Sequence, residues 1–106
     1  MAQSNGWHPT EYSVDVTGNA NAELMAITRD AKDDGRGQEI EEAFLAILDK
    51  LKFGPVIFGE PLYRVQKMGM TIRCSVIMPL YSEYGVHETR PVVVIRRVVV
   101  LSSRDA

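Results

Sequence analysis

Four polar side chains in the last third of the chain have the chemistry that phosphate binding or phosphodiester cleavage requires. They are Arg73, Glu83, His87 and Arg96. Cleavage of RNA through its 2′-hydroxyl needs a base for that hydroxyl, a cation for the phosphate and an acid for the leaving oxygen. The two guanidinium groups bind phosphate oxygens, and the carboxylate and imidazole can transfer protons. These four residues are therefore the candidate catalytic set.

Two predicted strands position these side chains. From Met70 to Met78, apolar residues alternate with Thr71, Arg73 and Ser75, which is the period of two expected for a sheet with one buried face. This pattern predicts that Arg73 lies on the solvent face. In the next strand, Tyr81 to Glu88, the residues at 81, 83, 85 and 87 share one face, so Tyr81, Glu83 and His87 form a row.

Each candidate also has a purely structural interpretation. His87 beside a predicted hairpin turn is typical of an exposed turn residue, and Glu83 opposite an arginine is typical of a cross-strand ion pair. Arg73 can equally be an ordinary polar-face strand residue. Arg96 and Arg97 are adjacent in sequence, so in a regular strand they point to opposite faces, and one of them is expected to meet the helical side of the sheet.

Two helices precede these strands. The apolar spacing predicts a helix from about Ala20 that ends before Gly35, and a second helix from Gln38 to Lys52. Two further strands are predicted: residues 12–17 alternate between apolar and polar side chains, and residues 92–101 are mostly apolar. Residues 56–68 are predicted as an irregular connection with a brief extended piece at residues 62–65. The predicted fold class is α+β, in the order β-α-α-β-β-β. It consists of an antiparallel four-stranded sheet with a helical hairpin packed on one face.

Length and composition indicate one small domain. The chain has 106 residues, and we assign residues 10–101 to the domain, residues 1–9 to a flexible lead and residues 102–106 to a tail. No signal peptide or membrane-spanning run is visible, so a cytoplasmic location is expected. The lone Cys74 is predicted to be a reduced core thiol. No ligand cluster or phosphate-binding loop indicates a metal or another cofactor.

Charge is distributed unevenly along the chain. Residues 1–60 contain five Lys/Arg against eleven Asp/Glu, a net of −6, and residues 61–106 contain seven against three, a net of +4. A basic sheet backed by acidic helices favours an acidic or polyanionic partner on the sheet side. The overall charge of −2 argues against strong non-specific binding of nucleic acid, because phosphate neutralisation dominates that affinity.

The order of elements resembles the RelE/ParE toxin superfamily. The stretches that carry the resemblance are Ile47-Leu48-Asp49-Lys50-Leu51, Phe58-Gly59-Glu60-Pro61-Leu62, Ile72-Arg73-Cys74-Ser75-Val76 and Tyr84-Gly85-Val86-His87-Glu88. The resemblance implies a toxin paired with an antitoxin, and a target that is either mRNA on the ribosome or DNA gyrase. It implies phosphate-binding roles for Arg73 and for Arg96 or Arg97, because they match basic positions of the family's strands.

Two features leave the activity open. After the last predicted strand, Leu101-Ser102-Ser103 stands in place of the family's His/Arg/Tyr finish, and the chain is acidic where the ribosome-dependent enzymes are basic. Inhibition of a target without catalysis therefore stands beside endoribonuclease activity. The alternative from another class is a catalytically inactive interaction module, which would form a homodimer through its last strand.

Overall fold

The computed structural model describes residues 10–101, so the predictions for residues 1–9 and 102–106 lie outside the described residues. The elements are β1 (Ser13–Val16), α1 (Gly18–Asp33), α2 (Gly37–Phe53), β2 (Glu60–Val65), β3 (Met70–Ile77), β4 (Leu80–His87) and β5 (Val92–Val100), with a 3₁₀ turn over Gln66–Met68. The α+β class is confirmed, and so is the packing of a helical hairpin on one face of the sheet.

The sheet has five strands in the order β1-β5-β4-β3-β2. Strands β2 to β5 form an antiparallel meander, but β1 pairs with β5 in parallel, with Ser13 opposite Val92 and Val16 opposite Ile95. The predicted four-stranded, fully antiparallel sheet is therefore wrong in strand count and in the direction of one pair.

The parallel pair follows from the path of the helical hairpin. Thr17 caps α1 by accepting a hydrogen bond from the amide of Ala20, and α1 continues beside β5 beyond the end of β1, where the Glu23 carboxylate accepts a hydrogen bond from the amide of Val98. β1 and α1 therefore follow one another alongside β5 and run in the same direction as β5, which makes the β1–β5 pair parallel. Helix α2 then returns, and the Lys52 carbonyl near its end accepts a hydrogen bond from the amide of Tyr12, just before β1.

The fifth strand is β2, which occupies the region predicted as an irregular connection. Pro61 argued against a regular strand there, because proline cannot donate to a ladder. In the structure β2 is an edge strand with a register shift between Pro61 and Tyr63, and it pairs only with β3. Edge strands tolerate proline and bulges, since one side of their backbone has no partner strand.

The main core lies between the helices and the sheet. The stripes predicted for both helices face it, as do alternate residues of β4 and β5. Its fully buried members include Ile47, Leu51, Leu80, Tyr84 and Ile95. We call the face of the sheet that contacts this core the helix side. The periodicity of the helices therefore predicted their buried faces correctly, because each helix packs on the sheet along a single stripe.

The loop from α2 to β2, residues 54–59, crosses close to the sheet at Gly59. Gly59 has a φ of +81°, and a Cβ there would overlap the carbonyl oxygen of Cys74 and approach the Tyr84 hydroxyl to 2.7 Å. Glycine is required at this position both for the left-handed backbone and for the close approach.

We expect Gly59→Ala to destabilise the fold by at least about 2 kcal/mol, because strained backbone and steric overlap add. Gly35→Ala is the matched control, since Gly35 also has a positive φ of +74° but a Cβ at that position would have no neighbouring atom within 4 Å. Backbone strain alone should cost about 1 kcal/mol there. Urea unfolding measures both values, and equal losses would contradict the close approach at Gly59.

Candidate functional site

The face of the sheet opposite the helices carries most of the predicted site residues. We call it the open face. Cross-strand partners share a face, which places on it the following residues of β3, β4 and β5: Met70, Ile72, Cys74, Val76, Tyr81, Glu83, Gly85, His87, Arg96 and Arg97. Tyr63 of β2 lies opposite Ile72 and extends the same face to the edge of the sheet.

Glu83 lies near the middle of the open face and is held by Tyr81. The Tyr81 hydroxyl donates a hydrogen bond of 2.9 Å to the Glu83 carboxylate, and Arg97 is the cross-strand partner of Glu83. Burial raises the pKa of Tyr81, and the hydrogen bond to Glu83 raises it further. The phenol therefore stays protonated at neutral pH and acts as a hydrogen-bond donor.

A β-bulge places both consecutive arginines away from the helix side. The register of β5 against β4 shifts between Glu83 and Tyr84, so Ile95 and Val98 both enter the core and the two residues between them do not. The bulge breaks the alternation that predicted opposite faces for Arg96 and Arg97. The expectation that one of them meets an acid of the helices is met by Arg97, whose Nε lies 3.9 Å from the carboxylate of Glu23 in α1.

Arg96 and Arg97 have different partners. The Arg96 Nη1 donates to the Tyr63 hydroxyl at 3.3 Å, so the two side chains meet over the strands that lie between β5 and the edge strand β2. Arg97 is about half exposed, and its Nε lies 3.9 Å from the Glu23 carboxylate at the other edge of β5. The exposed contacts of Arg96 with Tyr63 and of Arg97 with Glu23 are weak interactions, so both guanidinium groups stay available to an anionic partner.

His87 lies at the end of β4 and hydrogen-bonds the backbone of the hairpin turn between β4 and β5. Its Nδ1 accepts hydrogen bonds from the backbone amides of Thr89 at 3.2 Å and Arg90 at 3.1 Å. It lies four positions along the strand from Glu83, which corresponds to about 13 Å. The structure therefore does not bring His87 and Glu83 together into one acid–base pair.

Arg73 lies on the helix side and not on the open face. Its partner across the ladder is Tyr84 of the core, only 9% of its surface is exposed, and its Nη2 donates to the Gly59 carbonyl at 2.9 Å. The Nε is buried with no hydrogen-bond partner among the described residues. The predictions that Arg73 faces solvent and that Met70 and Ile72 face the helices are wrong.

The physical reason is that β3 is covered on both faces. On the helix side the Arg73 guanidinium is buried and hydrogen-bonds the 54–59 loop. On the open face Ile72 is fully buried, and the Met70 and Ile72 side chains lie over Gly85. Alternation of polar and apolar residues identifies two faces but does not say which one the helices cover.

Two residues important to this arrangement were missed from the sequence as site components. Tyr84 donates its hydroxyl to the Phe58 carbonyl and lies 3.2 Å from the Pro55 carbonyl, and its ring stacks on Phe58 with centroids 6.2 Å apart. Tyr63 holds Arg96. The available signal was weak, since an inward tyrosine needs a partner for its hydroxyl but the sequence does not identify that partner.

Comparison with known proteins supports the architecture. No protein-family model matches the sequence, and no curated protein matches it. Among solved structures, a chain of the toxin–antitoxin complex RelBE2 from Mycobacterium tuberculosis matches with 22% identity and a TM-score of 0.50, over 86% of this chain and 92% of that chain. The chain has a RelE-like fold.

The RelE-like fold separates the candidate residues by face. The helical hairpin covers one face, with Arg73 and Tyr84 on that side, and the other face carries Glu83, Arg96 and Arg97. Residues 10–101 contain no cluster of three or more His, Cys, Asp or Glu side chains able to hold a metal ion. Within the same range no helix has the length and hydrophobicity needed to cross a bilayer.

Replacing Arg73 should cost stability, whereas replacing Arg96 should not. We expect Arg73→Ala to destabilise by about 3 kcal/mol, because it leaves a cavity and strands the Gly59 carbonyl. Arg96→Ala, which loses only a long hydrogen bond on the open face, should stay within about 1 kcal/mol. Denaturant unfolding of both variants measures this, and an Arg73→Ala loss as small as that of Arg96→Ala would contradict the buried position.

Stability should fall in alkaline solution because two tyrosines resist ionisation in the folded state. Burial is the main cause that raises the pKa of Tyr81 and Tyr84 above the ordinary 10.0. Their contribution is complete below pH 10.0 and is lost as the pH rises above it toward the folded-state pKa, since the unfolded chain then releases protons that the folded chain retains. Tyr81→Phe and Tyr84→Phe should each flatten this decline in the free energy of unfolding. A decline as steep in Tyr81→Phe as in the parent chain would contradict the contribution of its buried phenol.

Proposed function

We propose that the chain is the toxin of a type II toxin–antitoxin pair, neutralised by an antitoxin protein and active in the cytoplasm. The RelE-like fold is the observation that carries this proposal, and a solved structure that it matches is described as a toxin–antitoxin complex. The uneven charge supports it, because the segment that forms β3, β4 and β5 belongs to the basic part of the chain.

The open face is the surface that we assign to the target. Arg96 and Arg97 lie there on consecutive positions of one strand, and β2, β3 and β4 continue that face to the far edge of the sheet. Guanidinium groups pair with phosphate or carboxylate oxygens in a fixed planar geometry. A polyanionic or acidic target surface is therefore the chemistry that this face fits.

Target binding is better supported than cleavage. A cleaving site would need a cation, a base and an acid around one phosphate, but Arg73 lies on the helix side, and His87 is about 13 Å along the strand from Glu83. The pair of Tyr81 and Glu83, 2.9 Å apart and opposite Arg97, is the acid–base group that remains. It supports endoribonuclease activity as the second candidate function.

Inducible expression in a bacterial host tests the toxin proposal. We expect growth arrest, relief of the arrest when the product of the adjacent reading frame is co-expressed, and loss of toxicity in the double variant Arg96→Glu, Arg97→Glu. Arg29→Glu, an exposed charge reversal on α1, is the matched control and should stay toxic. Normal growth at verified levels of folded protein would contradict the proposal and favour the interaction module.

The RNA of the arrested cells separates the two candidate functions. Binding of a target such as DNA gyrase should leave the messages intact, and Glu83→Gln should retain growth arrest. If the chain cleaves mRNA, primer extension on induced cells should show new 5′ ends within genes, and Glu83→Gln should abolish them because it removes the remaining carboxylate of the site.

A further inference from the structure

A small cleft lies on the helix side of the sheet, beside the 54–59 loop. Its volume is about 170 Å³, and its lining includes Tyr12, Val56, Thr71, Arg73 and Val86. Val86 and Arg73 are buried, whereas 56% of the Val56 surface is exposed. The cleft therefore connects buried apolar surface with solvent, and a further apolar group that filled it would remove both valines from water.

The loop that carries Val56 has a fixed backbone. Pro55 is fully buried, and its carbonyl lies 3.2 Å from the Tyr84 hydroxyl. The Phe58 amide closes a turn onto the Gly54 carbonyl at 2.9 Å. Because this backbone is already ordered, a group that covers Val56 loses little of the burial energy to ordering the loop.

Arg73 brings an unbalanced charge to the cleft. Its Nη2 donates to the Gly59 carbonyl, but its Nε has no hydrogen-bond partner, and no carboxylate lies within 4.0 Å of the guanidinium among residues 10–101. The Glu88 carboxylate, which also lines the cleft, pairs with Arg64 instead. Buried cations usually have a partner, and the face of an indole ring is the best aromatic partner for a guanidinium.

The sequence places an indole within reach of this cleft. Trp7 is the single tryptophan of the chain, and it precedes by five residues Tyr12, which itself lines the cleft. The Tyr12 amide is held at 2.8 Å from the Lys52 carbonyl. Five residues span at most about 17 Å, so Trp7 has to find any docking site close to Tyr12. Residues 1–9 contain neither Asp nor Glu, so this segment offers Arg73 an aromatic ring and no carboxylate side chain.

We propose that the indole of Trp7 docks in this cleft, against Val56 and Val86 and over Arg73. The docked ring closes the cleft and excludes water from the hydrogen bond between Arg73 and the Gly59 carbonyl, which strengthens that bond. The occupant is a segment of the same chain. The proposal does not depend on whether the protein arrests growth.

Tryptophan fluorescence of the purified full chain tests the docking, because Trp7 is the single indole. We expect emission at a shorter wavelength than in the urea-unfolded chain, and several-fold slower quenching by acrylamide. Val56→Asn, which replaces an apolar wall of the cleft with an amide, should shift the emission toward that of the unfolded chain. Ile57→Asn is the matched control and should leave it unchanged, because Ile57 is 90% exposed and does not line the cleft.

A double-mutant cycle supplies the second measurement. Trp7→Ala should lower the urea midpoint, and Val56→Asn should lower it less in the Trp7→Ala background than in the parent chain, since the two residues share a contact. Trp7→Ala and Ile57→Asn should be additive. Both asparagine variants change exposed side chains, so their circular dichroism should match that of the parent.

Three results would overturn the proposal. The first is emission from the folded parent chain at the wavelength of the unfolded chain. The second is a response to Ile57→Asn as large as the response to Val56→Asn. The third is a blue shift that grows with protein concentration, because the ring would then dock on a second copy and not on its own chain.

Discussion

The cross-strand pair of Arg73 and Tyr84 connects the helical layer to the sheet. Both side chains point to the helix side, and both donate hydrogen bonds to carbonyls of the 54–59 loop. A loop this close to a core would otherwise contain carbonyls with neither water nor protein as a partner, at a cost of about 1–3 kcal/mol each. The two side chains supply those partners, and Gly59 lets the backbone come close enough to reach them.

This constraint determines what each face of the sheet can do. Because the Arg73 guanidinium is buried on the helix side, it is not a cation of the open face. The arginines of that face are Arg96 and Arg97 of β5, and a bulge turns both of them away from the core. The bulge thus does more than disturb the ladder: it places two adjacent charges on the side of the sheet that the helices leave uncovered. The same loop contacts that require Arg73 also hold Ile57 outward, so one buried pair shapes surfaces on both sides of the molecule.

The helices were the elements best predicted from sequence. Their apolar spacing located both within two residues of the observed bounds and identified the stripe that each buries, because an amphipathic helix carries that information in its own period. The predicted strands at residues 70–78, 81–88 and 92–101 were also correct to within a residue or two. β2 was not recognised as a full strand, because Pro61 and the neighbouring glycines are typical strand breakers and the edge position that tolerates them is a property of the sheet.

Local sequence patterns were enough to establish the order of most elements, the helix stripes, the RelE-like resemblance and the row of Tyr81, Glu83 and His87 on one face of β4. Three-dimensional packing was needed to establish which face of β3 the helices cover, that β1 runs parallel to β5, and where Arg73, Arg96 and Arg97 point. Periodicity fixes the relation between a residue and its near neighbours. The side of a two-sided strand, the partner across a sheet and the position of a bulge depend on contacts between residues far apart in the chain, and no local pattern encodes them.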